Sequence, residues 1–390
     1  MSMKSTNNKT WITVLGAGLV GSAIIKDLAL EPKFNIIAVD LAAEGLASVN
    51  HLENVHTRQG NVLNQEVLHE VCENANLVIC AVPGFMGFET LKKIIELGKN
   101  VVDISFFPED AFELNALALE KGVTVVVDCG VAPGLCNIQA GYLQTKMSEV
   151  HSYVCFVGGL PKTRTWPFEY KAVFSPADVI EEYTRPARFV EYGKIVTRKA
   201  LTDLEKIDLP GVGTLEAFNT DGLRSLLFTL EAPFKKEKTL RYAGHVELMR
   251  AFREAGFFDS SPVSINDQEV IPLQLTSKLL FDQWKMGPGD EDLTVMQVEM
   301  KGLEGGQKVK YTFDLLDYFD TESGIHSMAR TTGYTCTIVA RQVLSGLFSR
   351  KGISPPEYIG QTKGCYSNLL EEYKTRRIEI RERRTVLDQY

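Results

Sequence analysis

The chain has 390 residues, which favours two domains over one, and its 42 basic and 50 acidic residues give a net charge of −8. This balance argues against a nucleic-acid partner and bears mainly on solubility. The seven cysteines show no Cys-x-x-Cys spacing, and the longest early uncharged run, residues 11–25, is too short to cross a bilayer. Because the polar start is unlike a signal peptide, we expect a soluble cytoplasmic protein with no membrane partner.

The first third of the chain alternates between short apolar runs and segments with helical spacing. The predicted strands are residues 11–15, 34–39, 55–60, 77–82, 101–104 and 123–127, and the predicted helices are 19–30, 42–50, 65–73, 88–98 and 109–121. Strands that alternate with helices indicate βαβ units, so we expect an α/β fold with a Rossmann-type doubly wound parallel sheet over residues 1–150. Ligands of such sheets bind beyond the carboxyl ends of the strands.

A GxGxxG motif lies at the first predicted turn from strand to helix, at Gly16, Gly18 and Gly21. The first glycine permits a tight turn, the second lets a pyrophosphate approach the helix N-terminus, and the third lets helix and strand pack closely. Asp40 closes the second strand about 20 residues later, where a carboxylate binds the ribose hydroxyls of a dinucleotide. The alternative is a glycine turn that binds nothing.

Asp40 also favours NAD over NADP, because a carboxylate repels a 2′-phosphate and the next basic residue, Arg58, lies well beyond the turn. Other strand ends offer further contacts, although each alone is typical of an ordinary turn. Asp103 and Ser105 end the fifth strand, and Asn61 follows the third, near the expected adenine. The expected NAD contacts are Gly16, Ala17, Gly18, Leu19, Val20, Gly21, Asp40, Asn61, Ala81, Val82, Pro83 and Ser105.

The stretch VVVDCGVAPGLCN, residues 125–137, begins as a buried strand and stops at Asp128. It then turns through Gly130, Pro133 and Gly134. A parallel strand that ends in a carboxylate and a Gly/Pro turn indicates a ligand at its carboxyl end. Asp128 either holds part of that ligand or merely caps the next turn.

After about residue 150 the pattern changes to one typical of a mixed sheet. We expect a strand from residue 151, a strand through residue 173, a helix that begins at Pro176, and a hairpin around a Gly-Gly turn at 305–306. A second α/β domain is therefore predicted over residues 151–322. Residues 323–390 are predicted as C-terminal helices that return to the first domain, ending in a solvated charged helix.

Six motifs along the chain resemble the saccharopine dehydrogenase-like family, most closely its L-lysine 6-dehydrogenase subgroup. They are DCGVAPGL, GGLPKTRTWPFEYK, EEYTRPAR, FNTDGLRSLL, TLRYAGH and SMARTTGYT, and the resemblance extends over residues 11–360. It implies a Rossmann domain completed by C-terminal helices and an α/β domain that carries substrate contacts and a homodimer interface. The implied activity is NAD-dependent oxidative deamination of lysine at the ε-carbon, and the product, allysine, closes to a cyclic imine.

For this chemistry the turn after Asp128 is expected to wall the nicotinamide end of the site, with Gly130 and Pro133 close to the substrate. A free ε-ammonium has a pKa of ~10.4, so the site must favour loss of its proton. Asp128 and Lys171 are the candidate catalytic residues. Lys171 relays protons, contacts a substrate carboxylate, or forms a structural salt bridge.

Four further side chains are candidates for binding the substrate: Arg224, Thr239, Arg241 and His245. The planar guanidinium of Arg224 suits bidentate contact with an α-carboxylate, with a structural ion pair as the alternative. Arg241 and His245 bracket the RYAGH turn, and His245 is expected to be a neutral, hydrogen-bonding imidazole. The other histidines form no metal-ligand pattern with the cysteines, so no metal is expected.

Two other functions stay open. A saccharopine-cleaving or saccharopine-forming enzyme shares hydride transfer at a C–N bond, and a non-catalytic NAD-binding sensor would need only the first predicted domain. Lysine carries one carboxylate and saccharopine three, and burying three anions requires several paired cations. The strongest candidate cations are Lys171, Arg224 and Arg241, a count that favours lysine.

Overall fold

The computed structural model describes residues 9–387 of the chain. The chain divides into two compact units, each assembled from an early and a late segment. The first unit comprises Met1–Leu135 and Thr332–Glu372, and the second comprises Cys136–Thr331 and Tyr373–Tyr390. Within residues 9–387 no helix is both long enough and apolar enough to cross a membrane.

The strands are numbered in chain order. They are β1 (Thr10–Leu15), β2 (Phe34–Asp40), β3 (Val55–Gln59), β4 (Leu77–Cys80), β5 (Val101–Asp103), β6 (Thr124–Val126), β7 (Glu149–Pro161), β8 (Ala187–Glu191), β9 (Lys194–Arg198), β10 (Glu205–Leu209), β11 (Gly213–Asn219), β12 (Phe234–Arg241), β13 (Val263–Ile265), β14 (Gln268–Val270), β15 (Asp292–Glu304), β16 (Gln307–Tyr318), β17 (Gly352–Ser354) and β18 (Ile380–Val386).

The helices follow the same numbering, with one 3-10 turn at Ala111–Leu114. They are α1 (Leu19–Ala29), α2 (Ala43–Ala47), α3 (Gln65–Cys72), α4 (Gly84–Glu96), α5 (Asn115–Glu120), α6 (Leu135–Gln144), α7 (Pro176–Thr184), α8 (Leu226–Thr229), α9 (His245–Glu254), α10 (Pro272–Trp284), α11 (Ser327–Ser345), α12 (Pro356–Gln361) and α13 (Cys365–Thr375).

The first unit is built on a seven-stranded sheet whose neighbouring strands are all parallel. Its order is β17-β6-β5-β4-β1-β2-β3, the doubly wound arrangement with one added strand from the late segment. The central strands are apolar runs buried along their length, as a sheet covered on both faces requires. The late segment also packs on α1, where Arg341 Nη1 lies 2.8 Å from Asp27 Oδ2.

The second unit contains a mixed sheet with the order β10-β11-β12-β7-β15-β16-β18, and β8 and β9 attach beside β12. The pair β12 and β7 is parallel, whereas β7 with β15 and β15 with β16 are antiparallel. The buried carboxylate of Asp292 begins α11 by accepting the backbone N–H groups of Ser327 at 2.7 Å and Met328 at 3.0 Å. Together the two sheets confirm the predicted α/β fold class, with a Rossmann sheet and a second domain on a mixed sheet.

Two local predictions in the second unit are wrong. The strand predicted through residue 173 does not form, since residues 168–174 are turns. The charged tail ends in the edge strand β18, not in a helix. In β18 the basic side chains of Arg383 and Arg384 pair with acids on the neighbouring strands, so the charge pattern suits an exposed edge as well as a solvated helix.

Candidate functional site

The glycine loop between β1 and α1 has the geometry of a phosphate-binding turn. Gly16 has a φ of 103°, and a Cβ there would lie 2.3 Å from the carbonyl oxygen of Ala81. A Cβ on Gly21 would lie 2.1 Å from the carbonyl oxygen of Gly16. No described neighbour comes within 4 Å of the same position on Gly18, the residue before α1. Gly16 and Gly21 therefore allow the backbone to pack closely. Gly18 faces open space, next to Leu19, the exposed first residue of α1.

The carboxylate of Asp40 is held against this loop. Its Oδ2 accepts a hydrogen bond of 2.6 Å from the backbone N–H of Ala17, and its Oδ1 accepts one of 2.8 Å from Ala42. A carboxylate in this position, at the end of β2, is suited to bind ribose hydroxyls and to repel a 2′-phosphate.

The other predicted dinucleotide contacts lie at the carboxyl ends of the parallel strands. The backbone N–H of Ala81 donates to the carbonyl of Leu15 at 2.8 Å, so the end of β4 lies against the end of β1. Val82 is buried and Pro83 precedes α4. Asn61 follows β3, and its side-chain oxygen accepts the N–H of Leu63 at 2.9 Å, which closes a turn. Val20 lies in the first turn of α1.

A buried carboxyl group, that of Asp103, lies beside Ser105 but is absent from the expected NAD contacts. Asp103 is the last residue of β5 and is fully buried, and its Oδ1 accepts the Ser105 hydroxyl at 2.6 Å. Burial raises the pKa of Asp103 to about 7, and the charge of Asp128 adds to the rise while the bonds from Ser105 oppose it. Ser105 is an expected contact because it follows the end of β5, and Asp103, the last residue of that strand, meets the same criterion.

The turn after Asp128 is tight and closely packed. Asp128 has a φ of 53°, a left-handed conformation that is uncommon for a residue other than glycine and that often occurs at functional sites. A Cβ on Gly134 would lie 1.9 Å from the carbonyl oxygen of Gly130, and Leu135 N–H donates to that oxygen at 2.9 Å. Pro133 lies inside this turn after a cis peptide bond. Asp128, Gly130 and Pro133 therefore lie within one closely packed turn, and the backbone N–H of Cys129 in that turn donates to the carbonyl oxygen of Asp103 at 2.9 Å.

In the second unit, Arg241 and His245 belong to one buried chain of hydrogen bonds. The guanidinium of Arg241 donates to the Tyr183 hydroxyl at 3.1 Å and to Glu182 Oε2 at 2.6 Å. The Tyr183 hydroxyl lies 2.9 Å from His245 Nε2, and His245 Nδ1 lies 2.7 Å from the carbonyl oxygen of Phe168. Because a carbonyl only accepts, Nδ1 carries the proton, and Nε2 accepts from Tyr183.

Burial and the nearby cation keep this histidine neutral. Desolvation, together with the positive charge of Arg241, lowers the pKa of His245 to about 3, although the hydrogen bond to Phe168 opposes this shift. Burial also raises the pKa of Glu182, while Arg241 opposes that rise. The sequence carried a signal for the burial of Tyr183, which lies at helical spacing from the buried Val179 on α7, but none for its hydrogen-bond partners.

Arg224 lies in the segment after β11, and Thr239 lies on β12, the next strand. Arg224 has a φ of 51° and is 8 % exposed. The hydroxyl of Thr239 lies 2.9 Å from that of Thr220, which in turn donates to the buried Glu237. Burial raises the pKa of Glu237 to about 8, with the Thr220 hydroxyl opposing the rise. Thr220, Glu237 and Thr239 therefore form a buried polar cluster.

The ammonium of Lys171 binds backbone carbonyl oxygens. The strand predicted to carry it does not form, and its ammonium donates to the carbonyl oxygens of Gln283 and Lys285, each at 3.2 Å. Asp290 is 4.0 Å away. The ammonium therefore stabilises the carboxyl end of α10, which corresponds to the structural alternative for this residue.

The chain matches two family models, described as the saccharopine dehydrogenase NADP binding domain over residues 12–126 and the saccharopine dehydrogenase C-terminal domain over residues 130–378. It is 25% identical to the mitochondrial alpha-aminoadipic semialdehyde synthase of Mus musculus, over 98% of this chain and 48% of that protein. It is 23% identical to the saccharopine dehydrogenase [NADP(+), L-glutamate-forming] of Schizosaccharomyces pombe, over 88% of this chain and 93% of that protein.

Among solved structures, an apo saccharopine dehydrogenase (L-Glu forming) from Saccharomyces cerevisiae superimposes with a TM-score of 0.79 at 19% identity. The match covers 96% of this chain and 100% of that one, which supports the assigned fold. The chain spans about half the length of the mammalian relatives that it matches.

The low pKa of His245 predicts a specific dependence of stability on pH. The unfolded chain binds a proton at this histidine below about pH 6.5 and the folded chain does not, so folding loses stability as pH falls from 6.5 toward 3. Between pH 8 and pH 5 the unfolding free energy should fall by about 2 kcal/mol more in the unmodified protein than in His245→Gln. Urea denaturation at both pH values measures this difference, and equal slopes would contradict the assignment of a neutral histidine.

Proposed function

The chain belongs to the saccharopine dehydrogenase family, and from that premise we propose that it catalyses NAD-dependent oxidative deamination of L-lysine at the ε-carbon. L-Lysine, NAD⁺ and water yield allysine, ammonium, NADH and a proton. When bound, the dinucleotide accepts the hydride from the ε-carbon. In this proposal Arg224 binds the α-carboxylate together with Thr239, and Asp128 binds the amine that reacts. Arg241 and His245, which are linked through the Tyr183 hydroxyl, hold the turn between them in place.

Proton transfer in this proposal involves the carboxyl groups of Asp103 and Asp128. The amine must lose a proton before its carbon can give up a hydride, and a carboxyl with a pKa near the working pH is suited to accept one. Asp103, with a pKa of about 7, meets that condition and lies within the electrostatic reach of Asp128. Lys171 is a weaker choice for this role, because its ammonium already serves two carbonyl oxygens.

The choice of lysine over saccharopine rests on one observation: two of the three predicted cations are committed to groups of the protein itself. Arg241 is paired with Glu182, and Lys171 donates to the end of α10. Three buried carboxylates would need several further cations, since each unpaired buried charge costs several kcal/mol. A substrate with one carboxylate needs fewer cations than saccharopine does, so the pairing of Arg241 and Lys171 within the protein supports lysine.

Asp40 supports NAD as the cofactor, in contrast to the NADP named in the family model. Asp40→Ser should weaken NAD binding by about 10-fold, through loss of the ribose hydrogen bonds, and should narrow the gap between NAD and NADP. Fluorescence titration with both nucleotides measures the two affinities, with Glu44→Ser on the adjoining helix α2 as a control. Equal affinity of the unmodified protein for NAD and NADP would refute this assignment.

Arg224→Ala tests the carboxylate contact. It should raise the KM for lysine about 10- to 100-fold, which corresponds to roughly 1.5–3 kcal/mol for a charge-assisted hydrogen bond. Activity of the unmodified protein should rise from pH 7 toward pH 10 as the amine, with a free pKa of ~10.4, loses its proton. Steady-state NADH formation measures both effects, and Arg250→Ala, at an exposed arginine of the same unit, is the control. Unchanged KM and kcat in Arg224→Ala would contradict the role.

A saccharopine-oxidising or saccharopine-forming reductase is the second candidate, and the match to the S. pombe protein over 93% of its length favours it. An assay of NADH and NADPH formation with lysine, ornithine, saccharopine and polyamines separates the two functions. A clear preference for saccharopine would replace the lysine assignment. No turnover with any of them, together with tight NAD binding, would instead favour the non-catalytic sensor.

We further propose that the mixed sheet of the second unit joins two copies of the chain into a homodimer, as the family resemblance implies. Light scattering at micromolar concentration should give the mass of at least a dimer. A monomer mass under these conditions would count against the proposal.

A further inference from the structure

Strand β12 of the second unit carries an unusual buried face. Alternate residues of a strand point to the same side, so Lys235, Glu237, Thr239 and Arg241 share one face. All four are at most 5 % exposed, although three of them are charged residue types. Charged groups removed from water need partners inside the protein. The partners of Lys235 and Glu237 indicate the role of this face.

Lys235 binds the end of the short helix α8. Its ammonium donates to the carbonyl oxygens of Leu226 at 2.7 Å, Leu227 at 2.7 Å and Leu230 at 2.6 Å. These carbonyls are the unsatisfied acceptors at a helix carboxyl end, so one ammonium satisfies all three.

Glu237 binds the start of the same segment. The Thr220 hydroxyl donates to its carboxyl oxygen Oε2, and the carboxyl group lies so close to Gly222 that a Cβ there would be 2.4 Å from Glu237 Cδ. Glycine at 222 therefore makes room for this carboxyl group. The Thr239 hydroxyl, 2.9 Å from that of Thr220, completes the attachment.

Two neighbouring side chains of one strand thus fasten both ends of residues 220–230. Arg224 lies between the two attachments, in a left-handed backbone conformation that persists only when the surrounding structure holds it. Because α8 has only four residues, the conformation of this segment depends on its contacts with the rest of the unit.

We propose that Lys235 and Glu237 are positioning residues, which hold the 220–230 segment so that Arg224 presents its guanidinium to the carboxylate of the amino-acid substrate. This role rests on the proposed function of Arg224. Neither residue contacts the substrate itself; each acts through the backbone of the segment.

The test uses substitutions of similar volume that remove one attachment at a time. Lys235→Met and Glu237→Leu should each raise the KM for lysine about 10-fold, with kcat changed less than 3-fold and NAD affinity unchanged. Glu237→Gln keeps an oxygen acceptor for Thr220 and should stay within about 3-fold of the unmodified enzyme. Thr220→Val, a milder change on the other side of the same bond, should reproduce part of the Glu237→Leu effect if that variant fails to fold.

Lys238→Met is the matched control. Lys238 is a buried lysine of the same strand whose ammonium also donates to a backbone carbonyl, but to that of Asp203, outside the segment. The KM of the Lys238→Met variant for lysine should equal that of the unmodified protein.

Hydrogen exchange of residues 220–230 provides a readout that needs no activity. Faster exchange of this segment in Lys235→Met and Glu237→Leu, with KM raised, supports the proposal. Unchanged exchange overturns the attachment, and faster exchange with unchanged KM overturns the positioning role alone. If the unmodified protein oxidises none of the tested amines, the proposed function fails and this role fails with it.

Discussion

The need to pair side chains that folding removes from water organises the second unit. Along one face of β12, Lys235, Glu237 and Arg241 are buried, and each is satisfied by a different part of the chain. Arg241 orders α7 and the start of α9 through Glu182 and Tyr183, whereas the other two order the 220–230 segment. A single strand therefore determines the position of several turns that would otherwise depend on weak local preferences.

The first unit is organised by a different constraint, the close approach of backbone to backbone. At Gly16, Gly21 and Gly134 the missing Cβ leaves room for a neighbouring carbonyl oxygen, and no larger residue could replace them without displacing main chain. This packing brings the strand ends together and leaves Gly18 open. The carboxylates of Asp40 and Asp103 then occupy defined positions at that edge, because backbone or hydroxyl donors hold both of them.

These two constraints explain what could be predicted from the sequence. The glycine motif, Asp40 and the alternating elements are local patterns, and the Rossmann sheet was predicted from them correctly. The partners of Arg241 and His245 were not, because Glu182 and Tyr183 lie 59 and 62 positions away and only the folded sheet brings them near. The strand β18 was mistaken for a helix for a related reason, since alternating charges alone do not reveal the free edge of β16.

Cofactor and substrate preference depend on fewer atoms than the fold does. The matching family model is described as an NADP binding domain, whereas discrimination between NAD and NADP in such folds depends on the charge at the end of the second strand. In this chain Asp40 occupies that position, and two backbone N–H groups hold its carboxylate. Binding of a 2′-phosphate there would require a cation in place of Asp40 and the loss of those two hydrogen bonds. Substrate choice has the same character, because a buried arginine that already binds Glu182 adds little to the recognition of a second carboxylate. The two proposed preferences therefore rest on how the fold holds a few charged side chains, which family membership alone does not determine.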